Sequence, residues 1–322
     1  MKTTTITYAS HDGASTIRAL LWRPEGKAAA SPRGLVQIVH GMSEHIERYG
    51  GFAEYLCGRG FAVCANDHIG HGKTVECAAD LGHMPLEAGE DILIRDVNAL
   101  RKISIDRIAA ESGCDPAGIP YIIFGHSMGS FITRVYLTRY ALGVRAAIIC
   151  GTGQQARPLS LAGRLVTKVL ARSRGERYVS EFVDGLGAGA YGGQIKDART
   201  DVDWIATDPD VVDEYRRDPL CGQKFTVGAY HTLSSLVADA TDARLASRIP
   251  RSLPLYLIAG SADPVGECGA GVERAAAMYR RAGIVRVDMK IYPGARHEIL
   301  NEPIKGEVHA DVGAWIDEVL GA

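Results

Sequence analysis

No two of the seven cysteines (Cys57, Cys64, Cys77, Cys114, Cys150, Cys221, Cys268) form a Cys-x-x-Cys pair, and their odd number leaves one unmatched in any disulfide scheme. The spacing predicts reduced, mostly buried small hydrophobes rather than a disulfide framework or a zinc site. An excess of one charge is also lacking. Thirty-six Lys and Arg against 38 Asp and Glu leave a formal net charge of -2, which gives a polyanion no basic field and argues against nucleic acid as a partner. No run approaches the roughly 20 apolar residues that span a bilayer. Residues 1–30 open with a polar, Thr-rich stretch in place of a basic start followed by an apolar segment, so no secretory signal is read. These absences predict a cytoplasmic protein. No internal repeat is found, and nothing in the pattern specifies an oligomer.

What is present is ordinary globular material: 322 residues, 46% hydrophobic and 23% charged, enough for one large core. Short apolar, β-branched runs at 4–9, 15–23, 34–40, 61–66, 120–125, 144–150, 254–260 and 286–292 predict eight strands, several of them buried on both faces. Helical spacing recurs at 51–58, 92–111, 128–141, 270–282 and 306–320, the last with Val308, Val312, Ile316 and Val319 on one stripe. Alternating strand and helix implies an α/β fold with a mostly parallel sheet covered on both faces, opened by an antiparallel hairpin because no helix separates the first two strands. From about 153 to 245 the alternation stops. That segment reads as an inserted helical cap, with 1–152 and 246–322 forming one catalytic core. Within it Leu161, Leu165, Val166, Val169 and Leu170 share a helical face. The usual logic packs such a face onto the body of the protein. The other reading makes Leu161, Leu165 and Val169 the wall of an acyl tunnel, on a cap that touches a membrane surface transiently.

The strongest chemical signal is Tyr121-Ile-Ile-Phe-Gly125-His126-Ser127-Met128-Gly129-Ser130, an apolar strand running through G-x-S-x-G into a helix. So sharp a reversal needs small residues two before and two after the serine and forces Ser127 outward. A serine hydroxyl is a poor nucleophile at neutral pH and needs a positioned base with an orienting acid. The strand Leu255–Ala259 ends in Gly260-Ser-Ala-Asp263, and the strand Val287–Tyr292 ends in Pro293-Gly-Ala-Arg-His297-Glu298. Asp263 and His297 therefore arrive past the last two strands in the order Ser, Asp, His. Asp288 and His309 are rivals, but one lies within a strand and the other within the last helix. Acyl transfer also generates an oxyanion that needs two donors. The backbone N–H groups of Met128, after the serine, and Met42, after the strand ending in His40-Gly41, fit that need. His40 and His45 read as supports for this loop.

The segments His40-Gly-Met-Ser-Glu-His45, Asp67-His-Ile-Gly-His-Gly72, Gly125-His-Ser-Met-Gly129 and Pro293-Gly-Ala-Arg-His-Glu298 together resemble the monoacylglycerol lipase and bacterial lysophospholipase branch of the α/β-hydrolases, also grouped as serine aminopeptidase-like hydrolases. Arg199-Thr-Asp-Val-Asp-Trp204 and Asp218-Pro-Leu-Cys-Gly222 are similar to the cap of bacterial members. The resemblance implies an eight-stranded α/β-hydrolase fold, a Ser127, Asp263 and His297 triad, and an acyl ester substrate such as a monoacylglycerol or lysophospholipid. It calls for no metal and no organic cofactor. A small-ester hydrolase and an N-terminal aminopeptidase, in which Asp201 or Asp208 would grip a free amine, are alternatives on the same fold. A noncatalytic receptor has no use for elbow, base and acid together.

Overall fold

The computed structural model describes residues 1–26 and 31–321. Eight strands, β1 (Lys2–Ala9), β2 (Thr16–Arg23), β3 (Leu35–Val39), β4 (Ala62–Asn66), β5 (Tyr121–His126), β6 (Val144–Cys150), β7 (Leu255–Gly260) and β8 (Val287–Tyr292), form one sheet in the order β1-β2-β4-β3-β5-β6-β7-β8. β2 runs antiparallel to both of its neighbours, and every other pairing is parallel. All eight expected strands are present, with the expected hairpin at the edge.

The helices are α1 (Gly50–Gly58), α2 (Gly89–Ser112), α3 (Met128–Tyr140), α4 (Arg157–Arg174), α5 (Glu181–Leu186), α6 (Pro209–Arg217), α7 (Val227–Ala240), α8 (Ala243–Ala246), α9 (Ala270–Arg281) and α10 (Lys305–Leu320). The period-two alternation of the central strands sorts their side chains to two cores. Tyr121 and Ile123 of β5 and Leu255, Leu257 and Ala259 of β7 face α2, α3 and α9. Ile122, Phe124, Tyr256 and Ile258 face α1 and α10. A sheet apolar on both faces is stable only when both are covered, as they are here.

Between β6 and β7 the chain behaves in two ways. Phe225 and the α7 residues Ala229 and Leu236 join the main core. A separate small cluster of Ile205, Ala206, Val212, Tyr215 and Cys221 holds the middle of the insertion together. The Gly-rich stretch 185–193 contains the end of α5 and two short 3-10 turns rather than open coil.

The face of α4 is a correction to the usual amphipathic reading. Leu161, Leu165 and Val169 are 39%, 66% and 54% exposed, and Val166 is exposed as well. The buried residues of this helix are Ser160 and Thr167. Gly163 sits between them, close enough to α7 that a Cβ would lie 3.0 Å from the Ser234 hydroxyl, and Thr167 Oγ1 lies 3.0 Å from His231 Nδ1. Small residues let the two helices approach, so the bulky ones point outward. Cysteine also departs in part from expectation, since Cys77, Cys114 and Cys268 are exposed.

Candidate active site

Parallel register brings the C-terminal ends of β3, β5, β6, β7 and β8 to a common sheet edge, pairing Val39 with Gly125, His126 with Cys150 and Gly260 with Tyr292. Side chains from five loops meet there. Open α/β sheets carry their ligand crevices at this edge.

Ser127 sits between β5 and α3 at φ 54° and ψ -121°, a conformation costly for a residue with a side chain. Its flanking glycines are sterically required. A Cβ on Gly125 would lie 2.3 Å from both the Gly129 carbonyl oxygen and Thr133 Oγ1, and one on Gly129 would lie 2.0 Å from the Val39 carbonyl oxygen. The turn is fixed further by the Ser127 amide, which donates to the Cys150 carbonyl at 3.0 Å. Met128 opens α3, so its amide lies among those with no intrahelical acceptor, at the positive end of the helix dipole.

The loop after β3 passes directly over the serine. A Cβ on Gly41 would lie 2.9 Å from Ser127 Cβ, and the Gly41 amide donates to Glu44 Oε1 at 2.6 Å. Met42 and Met128 both line the cavity that exposes Ser127. His40 supports this loop from beneath: its Nδ1–H donates to the Gly41 carbonyl at 2.8 Å and its Nε2 accepts the His68 amide at 3.0 Å. His45 Nε2 pairs with Asp218 Oδ2 at 2.8 Å, tying the same loop to the insertion. With Cys221 these two make a close group of metal-type ligands. That hydrogen bond already engages two of its three members, and the Arg48 cation acts on both Asp218 and Cys221.

Asp263 is fully buried; its Oδ1 accepts the Val265 amide and its Oδ2 lies 2.9 Å from His297 Nδ1. The loops after β7 and β8 touch, since a Cβ on Gly260 would lie 2.1 Å from the Ala295 carbonyl oxygen. With Nδ1 committed to Asp263, the other nitrogen of His297, Nε2, is buried with no hydrogen-bond partner among the described residues. His297 and Ser127 line the same cavity. A general base needs a ring nitrogen with no other hydrogen-bond partner, and the Nε2 of His297 has that property. Asp288 instead accepts from Trp315 Nε1 at 2.7 Å, and His309 stacks on Phe52 with centroids 5.0 Å apart, so neither rival reaches the serine.

Sequence reasoning did not single out four neighbours. Trp204, within the similar cap motif, places its ring 5.0 Å from that of His297, and Tyr191 stacks on Trp204 at 5.1 Å. Arg296 NH1 donates to the carbonyls of Asp203 and Ala206, which anchors this part of the cap to the histidine loop. Arg134, buried in α3, spends all five donors on neutral acceptors: Tyr279, Thr152, Gly153, Gln154 and the Ala240 carbonyl. No composition signal marks a buried arginine that has no carboxylate partner.

The cavity encloses about 690 Å³, within the range of small-molecule sites. Met42, Phe131, Leu159, Val166, Leu233 and Val237 supply apolar wall, and Glu181, Asp184 and Asp201 supply carboxylates. Lys224 is the one lysine or arginine on its wall among the described residues, and its Nζ is bonded to Glu181 at 2.5 Å. Of the cap residues expected to line it, Leu161, Leu165 and Val169 do not; Leu159, Ala162 and Val166, on another flank of α4, do. Asp201 lines the cavity, whereas Asp208 caps α6 by accepting the Asp210 amide at 2.9 Å.

Known proteins share this architecture and sequence. The monoacylglycerol lipase of Mycolicibacterium smegmatis is 29% identical over 92% of this chain and 91% of its own length. Mouse monoglyceride lipase is 25% identical over 94% of this chain and 86% of its own. Among solved structures, a highly thermostable carboxyl esterase from Bacillus coagulans in complex with glycerol superposes with a TM-score of 0.89 at 31% identity, covering 99% of both chains. Monoglyceride lipase from Saccharomyces cerevisiae, at 18% identity and a TM-score of 0.74 over 98% and 94% of the two chains, shares the fold. The model of the family described as serine aminopeptidase, S33, matches residues 30–304. The chain belongs to this family of α/β-hydrolases and is a hydrolase resembling its monoacylglycerol lipases.

Proposed function

We propose that the protein is a serine carboxylic ester hydrolase that cleaves an acyl chain from a small uncharged alcohol, with monoacylglycerol as the substrate class. The observation that carries this reading is the His297 imidazole, bonded to buried Asp263 through Nδ1 and presenting an unpaired Nε2 to the cavity that holds Ser127. Ser127 Oγ attacks the ester carbonyl carbon while His297 Nε2 takes its proton. The tetrahedral oxyanion lies against the Met42 and Met128 amides, each worth roughly 100- to 1000-fold in rate. The C–O bond to the alcohol breaks as His297 returns the proton to the leaving oxygen. Water, losing a proton to His297 Nε2, then attacks the acyl-serine carbonyl; the bond to Ser127 Oγ breaks as His297 returns that proton to Oγ, and the fatty acid leaves. Trp204 over the His297 ring keeps bulk water from the base during acylation.

The cavity wall selects among esters. A lysophospholipid would bring a phosphodiester to a wall with several carboxylates and a single lysine already bonded to Glu181, so its charge would be desolvated without a partner. A glycerol head group needs only hydrogen bonds. The exposed apolar face of α4, bordered by Arg157, Arg164 and Lys168 on one flank, suits contact with the lipid surface where such substrates reside. The carboxylates also favour a second reading, an aminopeptidase whose Asp201 or Asp184 holds a substrate ammonium.

One comparison tests these readings: kcat/KM for monoacylglycerols of increasing chain length, for lysophosphatidylcholine and for an aminoacyl anilide. Each buried methylene contributes about 0.8 kcal/mol, so the monoacylglycerol series is expected to rise and then level off as the cavity fills. A flat series with preference for acetate esters would move the assignment to a small-ester hydrolase. Faster turnover of the anilide would move it to a peptidase.

A further inference from the structure

The residue before the serine stands between two loops that a neutral histidine cannot hold at once. His126 is buried at the end of β5, and both of its ring nitrogens face acceptors. Nδ1 lies 3.2 Å from Glu44 Oε1, on the loop after β3. Nε2 lies 3.3 Å from the backbone carbonyl oxygen of His297, on the loop after β8. A carbonyl oxygen only accepts, and so does an ionised carboxylate. Tyr49 OH lies 2.7 Å from Glu44 Oε1 and 3.0 Å from Nδ1; turning its one proton to a neutral Nδ1 would take both the tyrosine and the histidine donor away from the buried Glu44 carboxylate, whereas the imidazolium leaves the tyrosine proton on Glu44. A neutral imidazole has one N–H and could hold one of the two loops; only the imidazolium holds both.

The surrounding charges require the same state. From the loop after β3 and the turn behind it come the buried carboxylate of Glu44 and the guanidinium of Arg48. From the loop after β8 comes the buried carboxylate of Glu298, in contact with Arg48. Two carboxylates against one guanidinium leave one negative charge in a buried site, which a cation at His126 neutralises. From β6, the thiol of Cys150 is driven upward in pKa by burial and stays neutral. Below the loop, burial lowers the pKa of His40, so it adds no cation. The remaining neighbour is His297 itself, with ring centroids 4.8 Å apart and its own charge partner in Asp263.

We infer that His126 acts as an imidazolium that clasps the oxyanion loop to the base loop across Ser127. Glu44 Oε1 accepts the Gly41 amide at the same time as it faces His126, so the clasp sets where the Met42 amide points. His126 is thus a positioning residue; the inference rests on the triad and oxyanion assignment above. Burial opposes the charge on His126, and the hydrogen bond and charge of Glu44 outweigh it, leaving the group raised from its ordinary value. The sign follows: the clasp is complete below that raised pKa and is lost as pH rises through it.

The test is ¹⁵N NMR of histidine-labelled protein, with His126 assigned by difference from His126→Asn and His126→Gln. Both nitrogens of His126 are expected to keep their protons to higher pH than those of free histidine. Both substitutions are expected to lower kcat by at least 10-fold with KM changed less than threefold, because each restores one donor and loses the other. In the wild type, kcat is expected to fall on the alkaline side together with the loss of the imidazolium signal. Loss of one His126 proton at or below the pH where free histidine titrates overturns the inference, as does wild-type kcat in both variants. Neither result touches the triad, which stands or falls on Ser127→Ala and on fluorophosphonate labelling of Ser127 in the same preparations.

Discussion

At the residue scale the arrangement around Ser127 separates roles that a sequence motif merges. Ser127→Ala removes the proposed nucleophile but none of the contacts that form the elbow, since the turn is held by backbone and by Gly125 and Gly129. Esterase activity is therefore expected to fall to a small residual with the melting temperature nearly unchanged. Asp263→Asn tests something different. The carboxamide keeps the shape but cannot stabilise the charged histidine, so kcat is expected to drop by orders of magnitude while the protein stays folded. Near-normal p-nitrophenyl ester turnover in either variant would refute the assignment of that residue. The three residues proposed as the triad could be picked from the sequence because strand ends and chain order are local signals. The His126 clasp was not, because its acceptors lie 82 and 171 residues away, and only the fold brings them to one ring.

At the scale of elements, the eight strands and the five helices around them could be read from periodicity, since burial on both faces writes continuous apolar runs. The orientation of α4 could not. A stripe of Leu and Val ordinarily marks the packed face, yet here Ser160, Gly163 and Thr167 make the close approach to α7, Leu170 packs on the core, and Leu161, Leu165 and Val169 are left outside. If that stripe meets lipid, the double substitution Leu165→Asp and Val169→Asp will weaken binding to vesicles containing anionic phospholipid and slow hydrolysis of vesicle-borne monoacylglycerol several-fold. Turnover of a soluble short ester will be unchanged, because neither residue lines the cavity. Equal losses on both substrates would show that the face serves folding instead.

For the whole molecule, the buried histidines beneath the oxyanion loop make stability depend on pH. Burial, with His40 beside it, pushes His71 down to about 3, and burial lowers His68 in the same direction. Unfolded, these side chains titrate near 6.5. Their contribution is present above that value and is lost progressively as pH falls toward the folded pKa. Between pH ~6.5 and ~5, above the range of ordinary carboxylates, the melting temperature is expected to decline, and His71→Gln should decline less steeply than the wild type. Parallel slopes would rule out the histidine as the source.

Arg134 carries a consequence for how such a protein diversifies. It grips the chain where the insertion leaves the sheet, at Gly153, and where α7 ends, at Ala240, and in both places it binds a main-chain carbonyl oxygen. A carbonyl oxygen is the same for every amino acid. The sequence between the two anchors needs no particular side chain for these two attachments, while Asp218 on His45 and Tyr215 on the Ser43 carbonyl fasten its far end, so a segment that keeps those two residues can be exchanged as a cassette. Grafting residues 155–224 from a relative with a different acyl preference should transfer that preference while Ser127 keeps its reactivity toward fluorophosphonate. The same graft in an Arg134→Met background should express poorly or lose labelling, because the carbonyls at both ends of the exchanged region would lose their shared buried donor.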